Sequence, residues 1–199
     1  MYEGVDTVIL NNELAYEDLL PVAFKPLARP LGEAAAGVLA DRNVRLLQVC
    51  AAIEEQGAVE RKDEASPHSA DLMRLEVKVN LLLDLMGQVL AAQVPRPNPV
   101  MIRFNAQGAQ WKTLEPPIAG TQGLMEIWLR DSLPQPLVLI ANVTHVAADG
   151  LVKATFSPPG DATADLIEKL AFRRHRRHVA GVRHPRRSGS ETAITRTRG

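Results

Sequence analysis

The spacing of apolar residues changes sharply at the prolines Pro95, Pro97 and Pro99. Before these prolines, residues 31–57 and 69–94 contain no proline and carry apolar side chains at the three-and-four spacing of an α-helix. After them, apolar and polar residues alternate, which is the period of a half-buried β-strand. Because proline lacks an amide hydrogen and restricts the residue before it, the prolines end the second helix. The sequence therefore predicts two long helices followed by a sheet.

Short strands are predicted on both sides of the helices. They cover residues 19–24, 100–104, 123–130, 137–146 and 151–156. The pair Asp149-Gly150 lies between the last two strands and favours a tight hairpin turn. Several short antiparallel strands are typical of a barrel or a sandwich. A final helix is predicted over residues 162–180, because its apolar residues return to helical spacing.

The two long helices carry apolar rows that predict an oligomer. The row on the first helix includes Leu39, Asn43, Leu46, Cys50 and Ile53. The row on the second helix is Leu72, Leu75, Val79, Leu82, Met86 and Val89. The first helix has a neighbouring apolar row as well, and a face of that width favours a helical bundle over packing on a single sheet. We therefore expect these eleven residues, counted from the two rows, to form an interface between subunits.

Two alternatives to this interface stay open at the level of the sequence. The apolar row of the second helix also suits packing on the first helix of the same chain, although a lone hairpin would leave a large apolar surface in water. A buried Asn43 would fix the register of the oligomer by pairing with its symmetry mate. Alternatively, Asn43 lies at the edge of the interface, bonded to water or to Arg42 or Arg45.

Charge is segregated along the chain, although the formal net charge is zero. Residues 171–199 contain nine arginines and a single acidic residue, Glu191, so the first 170 residues are acidic. A basic end of this kind is a solvated tail, or it reaches toward phosphates, an acidic partner or the acidic surface of its own chain. Residues 173–199 contain no Phe, Tyr or Trp for base stacking, so nucleic-acid binding is not expected.

The sequence contains no constellation that indicates an enzyme, a metal site or a cofactor. Cys50 is the single cysteine and has an apolar setting, so it is expected to be a buried packing residue. His175, His178 and His184 lie among arginines, which disfavours a metal ion. No recognisable nucleophile motif or phosphate loop occurs. The first residues lack a basic flank and a sustained apolar run, so we expect a cytoplasmic protein without membrane insertion.

The order of these elements is a strand, a long helical hairpin, several antiparallel strands and a closing helix that ends in Arg173, Arg174, His175, Arg176 and Arg177. This order resembles the atypical, tetramer-forming PilZ domain family of xanthomonad-type bacteria. The resemblance implies an α+β protein: a small antiparallel six-stranded β-barrel, an inserted helical hairpin that forms a coiled coil, and a C-terminal helix. It divides the chain into a first barrel segment (1–30), an oligomerisation hairpin (31–94), the main barrel with its closing helix (95–183) and a basic, disordered tail (184–199).

The resemblance also implies where a ligand would bind. PilZ domains that bind cyclic di-GMP use an arginine motif, RxxxR, and a D/NxSxxG motif. The first corresponds here to Lys25 and Arg29, and the second to Arg103, Asn105 and Gly108. Lysine lacks the two-pronged guanidinium that grips a phosphate, and Arg103 replaces an acidic or amide residue. These differences predict weak or absent nucleotide binding.

The expected function is that of a regulator in the cyclic di-GMP network. It would be a homotetramer that presents its barrels to a signalling protein partner and binds without turnover. One alternative is a direct receptor for cyclic di-GMP that uses the five residues above as a variant site. Another is an oligomeric scaffold unrelated to the second messenger. Catalysis is not expected, because no catalytic constellation is visible.

Overall fold

A computed structural model describes residues 8–59, 67–93 and 95–182 of the chain. The strands are β1 (Ile9–Leu10), β2 (Glu13–Leu14), β3 (Tyr16–Pro26), β4 (Pro99–Phe104), β5 (Gly108–Lys112), β6 (Gln122–Ile127), β7 (Leu137–Val146) and β8 (Leu151–Phe156). The helices are α1 (Glu33–Val59), α2 (Pro67–Gln93) and α3 (Asp161–Val182). The side chain of Leu72 and the predicted tail, residues 184–199, lie outside the described part of the chain.

Six strands form a closed antiparallel barrel in the order β3-β4-β5-β8-β7-β6. The long strand β3 closes it, because residues 16–21 pair with β4 and residues 22–26 pair with β6. Alternate side chains point into the barrel, so that Met125 and Ile127 on β6 are fully buried. The predicted α+β class, the six-stranded barrel and the closing helix are confirmed. Helices α1 and α2 both lie between β3 and β4 in the chain, while their pairing as a coiled-coil hairpin stays a prediction.

Two elements were not predicted from the sequence. Strands β1 and β2 form a separate hairpin, and its turn residues Asn11 and Asn12 have φ angles of 52° and 66°. Asparagine tolerates this left-handed conformation better than most residues, which explains the turn. The other missed element is β5, which follows a tight turn at Asn105 and pairs with β4 and β8.

Helix α1 packs against the barrel and against α3. Its buried face contains Asn43, Leu46, Leu47 and Cys50, and the three apolar side chains among them belong to the same core cluster as the barrel interior. Asn43, Leu46 and Cys50, which were expected between subunits, are thus buried within the chain in this structure. The wide apolar face of α1 is satisfied by two partners within the chain, the sheet and α3. Leu39 is half-buried on the same helix, and Ile53 is exposed.

The buried amide of Asn43 completes the hydrogen bonding of β7. Its Nδ2 donates to the carbonyl oxygen of Val138 at 2.7 Å, and its Oδ1 accepts from the amide of Val138 at 3.1 Å. Strand β8 pairs with β7 only from Ala141 onward, so the amide of Asn43 takes the place of a neighbouring strand at Val138. An unpaired backbone group in this position would cost free energy, which explains a polar residue on the apolar face.

Helix α2 leaves most of its described apolar side chains exposed. They are Leu75, Val77, Val79, Leu81, Leu82, Leu83, Leu85, Met86, Val89 and Leu90. The helix approaches the barrel at Gly87, where an added Cβ would lie 2.2 Å from the carbonyl oxygen of Ser132. Glycine costs roughly 1 kcal/mol inside a helix relative to alanine, and here it permits this close approach.

Helix α3 closes the fold with a short apolar stripe and a basic face. Thr163, Ile167, Leu170 and Ala171 are buried, and the helix packs against α1 and β3. The arginine-rich half of α3 follows this stripe directly. The packing of α3 therefore brings its arginines to the junction between α1 and the start of β3.

Candidate functional site

The predicted second ligand motif lies on β4 and the turn that follows it, and its polar groups already bind within the chain. Arg103 Nη2 lies 2.6 Å from Glu17 Oε2, its neighbour across the β3–β4 pair. This ion pair is partly exposed, so a phosphate could compete for Arg103 only by replacing Glu17. The guanidinium of Arg103 is therefore already paired with a carboxylate.

Asn105 is 1% exposed and uses its side chain to build the turn between β4 and β5. Its Oδ1 accepts hydrogen bonds from the amides of Gln107 and Gly108, at 2.9 and 3.1 Å. Its Nδ2 donates to the carbonyl oxygen of Leu10 at 2.8 Å, so the β1–β2 hairpin covers it. Asn105 therefore stabilises the turn and offers no free group to a ligand.

Gly108 is required for packing rather than for a ligand. A Cβ at this position would lie 2.4 Å from the carbonyl oxygen of Ala154 on the neighbouring strand β8. Any side chain would separate β5 from β8 at this point. The turn at Asn105 and the missing side chain of Gly108 therefore both allow the chain to turn back tightly into β5.

The predicted first ligand motif lies at the other end of β3. Lys25 is eight residues beyond Glu17 on this strand, a separation of roughly 26 Å at about 3.3 Å per residue. Its Nζ lies 2.7 Å from Glu126 Oε1 across the β3–β6 pair, and the exposed Arg29 follows the end of the strand. The structure does not bring Lys25 and Arg29 together with Arg103, Asn105 and Gly108. The five residues predicted to form one variant site therefore lie in two separate groups in this structure.

Helix α2 supplies a surface that was predicted from the sequence. We call its exposed apolar side chains, as named under the fold, the α2 apolar surface. Five of the six predicted interface residues of this helix belong to it: Leu75, Val79, Leu82, Met86 and Val89, which are 44% to 61% exposed. Leu81, Leu83 and Leu85 extend the surface around the helix. This surface is wide for a helix that also carries Arg74, Lys78 and Gln88, and exposed apolar patches of this size are typical of interaction sites.

Glu54 is a buried carboxylate that sequence reasoning missed. It lies near the end of α1, and its side chain is 6% exposed. Its Oε1 accepts from Arg130 Nη2 at 2.8 Å and from Arg177 Nη2 at 2.5 Å. These contacts join α1, the segment after β6 and α3. No local pattern links residues 54 and 177 in the sequence, so only the fold identifies the cluster.

A second ion pair lies beside this cluster, at the start of β3. Arg174 Nη2 is 2.8 Å from Asp18 Oδ2, and its guanidinium carbon lies 5.7 Å from the centre of the Tyr16 ring. Burial raises the pKa of Tyr16, and the nearby carboxylate of Asp18 raises it further. Because Tyr16 keeps its proton, its hydroxyl donates to Asp18 at 3.1 Å. These contacts fasten α3 to the barrel.

Cys50 lies on α1 one turn before Glu54. It is 1% exposed, and burial raises the pKa of its thiol to about 11. The thiol is therefore protonated at neutral pH, and a protonated thiol is a poor nucleophile. The predicted role of Cys50 as a buried packing residue agrees with its position in the core.

The fold is a small closed six-stranded β-barrel domain with two helices inserted between β3 and β4 and a C-terminal helix. The model of the atypical PilZ domain family, described as a cyclic di-GMP receptor, matches residues 47–184. The chain belongs to this family.

A solved structure is similar to this chain over most of its length. It is a pathogenic protein from Xanthomonas campestris, described as a new tetrameric PilZ domain that self-assembles via an unusual helical bundle. The two share 24% identity, and the match covers 85% of this chain and 92% of the other, with a TM-score of 0.64. Among curated proteins, none matches the chain significantly. Within the described residues, no helix is both long enough and apolar enough to cross a membrane.

Proposed function

We propose that this protein is a non-enzymatic regulator in the cyclic di-GMP network that assembles into a homotetramer in the cytoplasm and presents its barrels to a protein partner. Membership of the PilZ family supports the link to the second messenger. The α2 apolar surface supports the assembly, and it is the observation on which the proposal mainly rests. The similar Xanthomonas protein is described as a tetramer held by a helical bundle, which favours the same arrangement here.

The assembly would use α2 more than α1. Ten leucine, valine and methionine side chains on α2 are at least 42% exposed. Burying one such side chain completely is worth about 1.5–3 kcal/mol, so partial burial of several of them supplies enough free energy for a stable oligomer. On α1, Val38, Val49 and Ile53 are exposed on the side away from the barrel core, so they are available to the same bundle.

Tetramer formation would compensate for weak contacts made by a single barrel. Four barrels on one stalk raise the effective concentration of each binding surface for a partner with more than one site. Glu54 and its two arginines hold α1 to α3 and to the segment after β6. This connection would fix the direction in which each barrel is presented.

Direct binding of cyclic di-GMP by the predicted residues would be weak or absent. Arg103 and Lys25 each have a carboxylate partner, and Asn105 is buried under the β1–β2 hairpin. The family description favours the alternative, a direct receptor. Calorimetric titration of the whole protein with cyclic di-GMP separates the two: the adaptor proposal expects no saturable binding in the low micromolar range, and tight binding would overturn it.

The tetramer is tested with the double variant Leu82→Asp/Met86→Asp, which places two carboxylates on the α2 apolar surface. Burying unpaired carboxylates is expensive, so we expect the mass measured by light scattering to fall from four chains to one. The control is Thr155→Asp, which adds a carboxylate on the exposed face of β8 and should leave the mass at four chains. A wild-type protein that is monomeric at high concentration would refute the proposal.

A further inference from the structure

The loop between β5 and β6, residues 113–121, is held rigidly at its two ends. The amide of Thr113 donates to the carbonyl oxygen of Gly150 at 3.1 Å, and the amide of Gly120 donates to the carbonyl oxygen of Val143 at 2.7 Å. Residues 116–117 are both proline, which restricts the backbone in between. The loop therefore presents its side chains in a fixed arrangement.

This rigid loop holds two large apolar side chains that are almost entirely exposed to water. Leu114 is 102% exposed and Ile118 is 81% exposed, the two highest values among the exposed large apolar residues of the described chain. A single exposed leucine requires no explanation, but two on one short rigid loop form a patch. Neither side chain contributes to the core of the chain. Rigid presentation of apolar groups favours binding, because little conformational entropy is lost on contact.

The loop also borders a pocket at the end of the barrel that is remote from α3. We call it the mouth pocket; it has a volume of about 210 Å³ and is lined by Val22, Phe24, Val100, Trp111, Thr113 and Pro117, among others. The pocket exists because β4 begins at Pro99, opposite Pro21, while β3 continues to Pro26. The end of β3 therefore has no β4 residue beside it.

Two aromatic rings form a wall of the mouth pocket. The ring centres of Phe24 and Trp111 are 6.2 Å apart, and the rings are inclined by 29°. Gly123 permits this position of Phe24, since a Cβ there would lie 2.5 Å from the ring. An aromatic wall beside valine and proline side chains is the usual composition of a pocket that anchors one apolar side chain.

The size and polarity of the mouth pocket select its occupant. Pockets for drug-sized ligands measure about 300–1,000 Å³, so this one is too small for a dinucleotide. Lys25, the cation nearest to it along β3, is paired with Glu126, and Glu115 adds a carboxylate to the lining. This charge disfavours a phosphate. A single phenylalanine or leucine side chain is small enough for the pocket and carries no charge.

We propose that the mouth pocket, together with Leu114 and Ile118 of the loop that borders it, forms the docking site for a protein partner that inserts one phenylalanine or leucine side chain. The inference rests on the adaptor function proposed above and names the surface that the partner contacts. The pocket receives the anchor residue, and Leu114 and Ile118 cover its flanks and exclude water.

The test uses amides that imitate one residue of a peptide: N-acetyl-phenylalaninamide, N-acetyl-leucinamide and, as the polar control, N-acetyl-glutaminamide. Binding to the full chain is followed by nitrogen–proton NMR. The two tryptophans supply an internal comparison, because Trp111 lines the mouth pocket and Trp128 lines a separate groove next to Gln88 of α2. We expect saturable shifts of Trp111 and of the loop amides with the two apolar amides, with dissociation constants on the order of 1 mM.

Variants make the result specific. Val100→Phe fills the pocket and should weaken binding of the phenylalanine amide at least about fivefold, while Leu114→Ser should weaken it by a smaller factor. Circular dichroism establishes that each variant folds. Equal shifts with the glutamine amide, shifts that include Trp128, or no shift of Trp111 would overturn the proposal. Shifts of Trp111 caused by cyclic di-GMP would overturn it as well.

The other candidate occupant of the docking site is a second copy of this chain. A measurement of the oligomer mass distinguishes it from a different protein partner. Leu114→Ser/Ile118→Ser should leave the mass measured by light scattering unchanged, and a fall would show that the loop joins copies of the chain. Light scattering of the α2 variants tests the tetramer separately. Failure of the docking site and failure of the assembly are therefore distinguishable.

Discussion

Helices α1 and α2 are both 27 residues long and both lie between β3 and β4, but their apolar side chains have different surroundings. On α1, Leu46, Leu47 and Cys50 are at most 7% exposed and belong to the core of the barrel. On α2, no described leucine, valine or methionine is less than 42% exposed. The two helices have similar spacing of apolar residues, but the tertiary structure buries these residues on α1 and leaves them exposed on α2.

The difference lies in the residues that fit the barrel. Helix α1 carries Asn43, which pairs with the backbone of Val138, and Glu54, which binds two arginines. Helix α2 approaches the barrel at Gly87, a residue without a side chain. Specific polar contacts thus accompany the helix that packs within the chain. The apolar surface of the other helix is exposed and faces other subunits in the proposed tetramer.

The comparison is tested most strongly with one leucine from each helix. Leu47→Ala creates a cavity in the core and should lower the free energy of unfolding by about 2–5 kcal/mol at every protein concentration. Leu83→Ala removes an exposed side chain, so it should change the stability of a single chain by less than about 0.5 kcal/mol. In the tetramer it should instead weaken assembly and alter how the melting temperature depends on concentration. Thermal and urea unfolding at several concentrations measure both effects.

The same measurements can contradict the assignment. A loss for Leu83→Ala that equals that of Leu47→Ala and does not vary with concentration would place α2 in the core of its own chain. Both helices would then pack within their own chain.

A somewhat smaller effect is expected for Asn43→Leu. This change leaves the amide and the carbonyl of Val138 without partners, which costs about 1–3 kcal/mol for each group. The additional apolar burial offsets part of the cost, so the expected net loss of unfolding free energy is about 2 kcal/mol. Urea unfolding measures it.

The control for Asn43→Leu is Gln48→Leu at an exposed position of α1, which should change stability by less than about 0.5 kcal/mol. If Asn43→Leu instead left the chain stability unchanged and altered the oligomer mass, Asn43 would fix the register between subunits, as the sequence first indicated.

The last effect, which is absent at neutral pH, is a pH dependence that arises from Cys50. Burial raises the pKa of its thiol from the ordinary value of 9.0 to about 11 in the folded chain. Between these pH values the unfolded thiol loses its proton while the folded thiol keeps it. Stability should therefore fall as the pH rises from about 9 to 11, with a slope of at most about 1.4 kcal/mol per pH unit.

Cys50→Ala isolates this contribution from that of Tyr16, whose pKa is also raised. The variant should be less stable at neutral pH, because packing is lost, but its stability should fall less steeply above pH 9. Parallel pH profiles of the wild-type protein and the variant would show that the thiol does not contribute.

Much of the secondary structure was predictable from residue spacing. Strands β7 and β8 have the predicted bounds, and α1 and α2 begin and end within a few residues of the predicted positions. Strand β5 was missed, because it is short, begins at Gly108 of the ligand motif and shows little alternation. The β1–β2 hairpin was missed since each of its strands has only two residues.

The candidate ligand residues show the limit of motif reasoning. The residue types around Asn105 and Gly108 resemble a binding motif, but the turn itself uses their hydrogen-bonding capacity and their space. The docking surface at Leu114 and Ile118 had no local pattern that could identify it, because exposure depends on where the rest of the chain lies.

The sequence by itself determined the type and the order of the helices and of most barrel strands, since the period of apolar residues and the prolines act over a few neighbouring positions. It also determined the resemblance to the PilZ family, which follows from that order. Only the tertiary structure decided that Asn43 binds Val138, 95 residues away, and that Arg177 binds Glu54, 123 residues away. Such contacts depend on strand register and on the closure of the barrel. Local spacing contains no information about either.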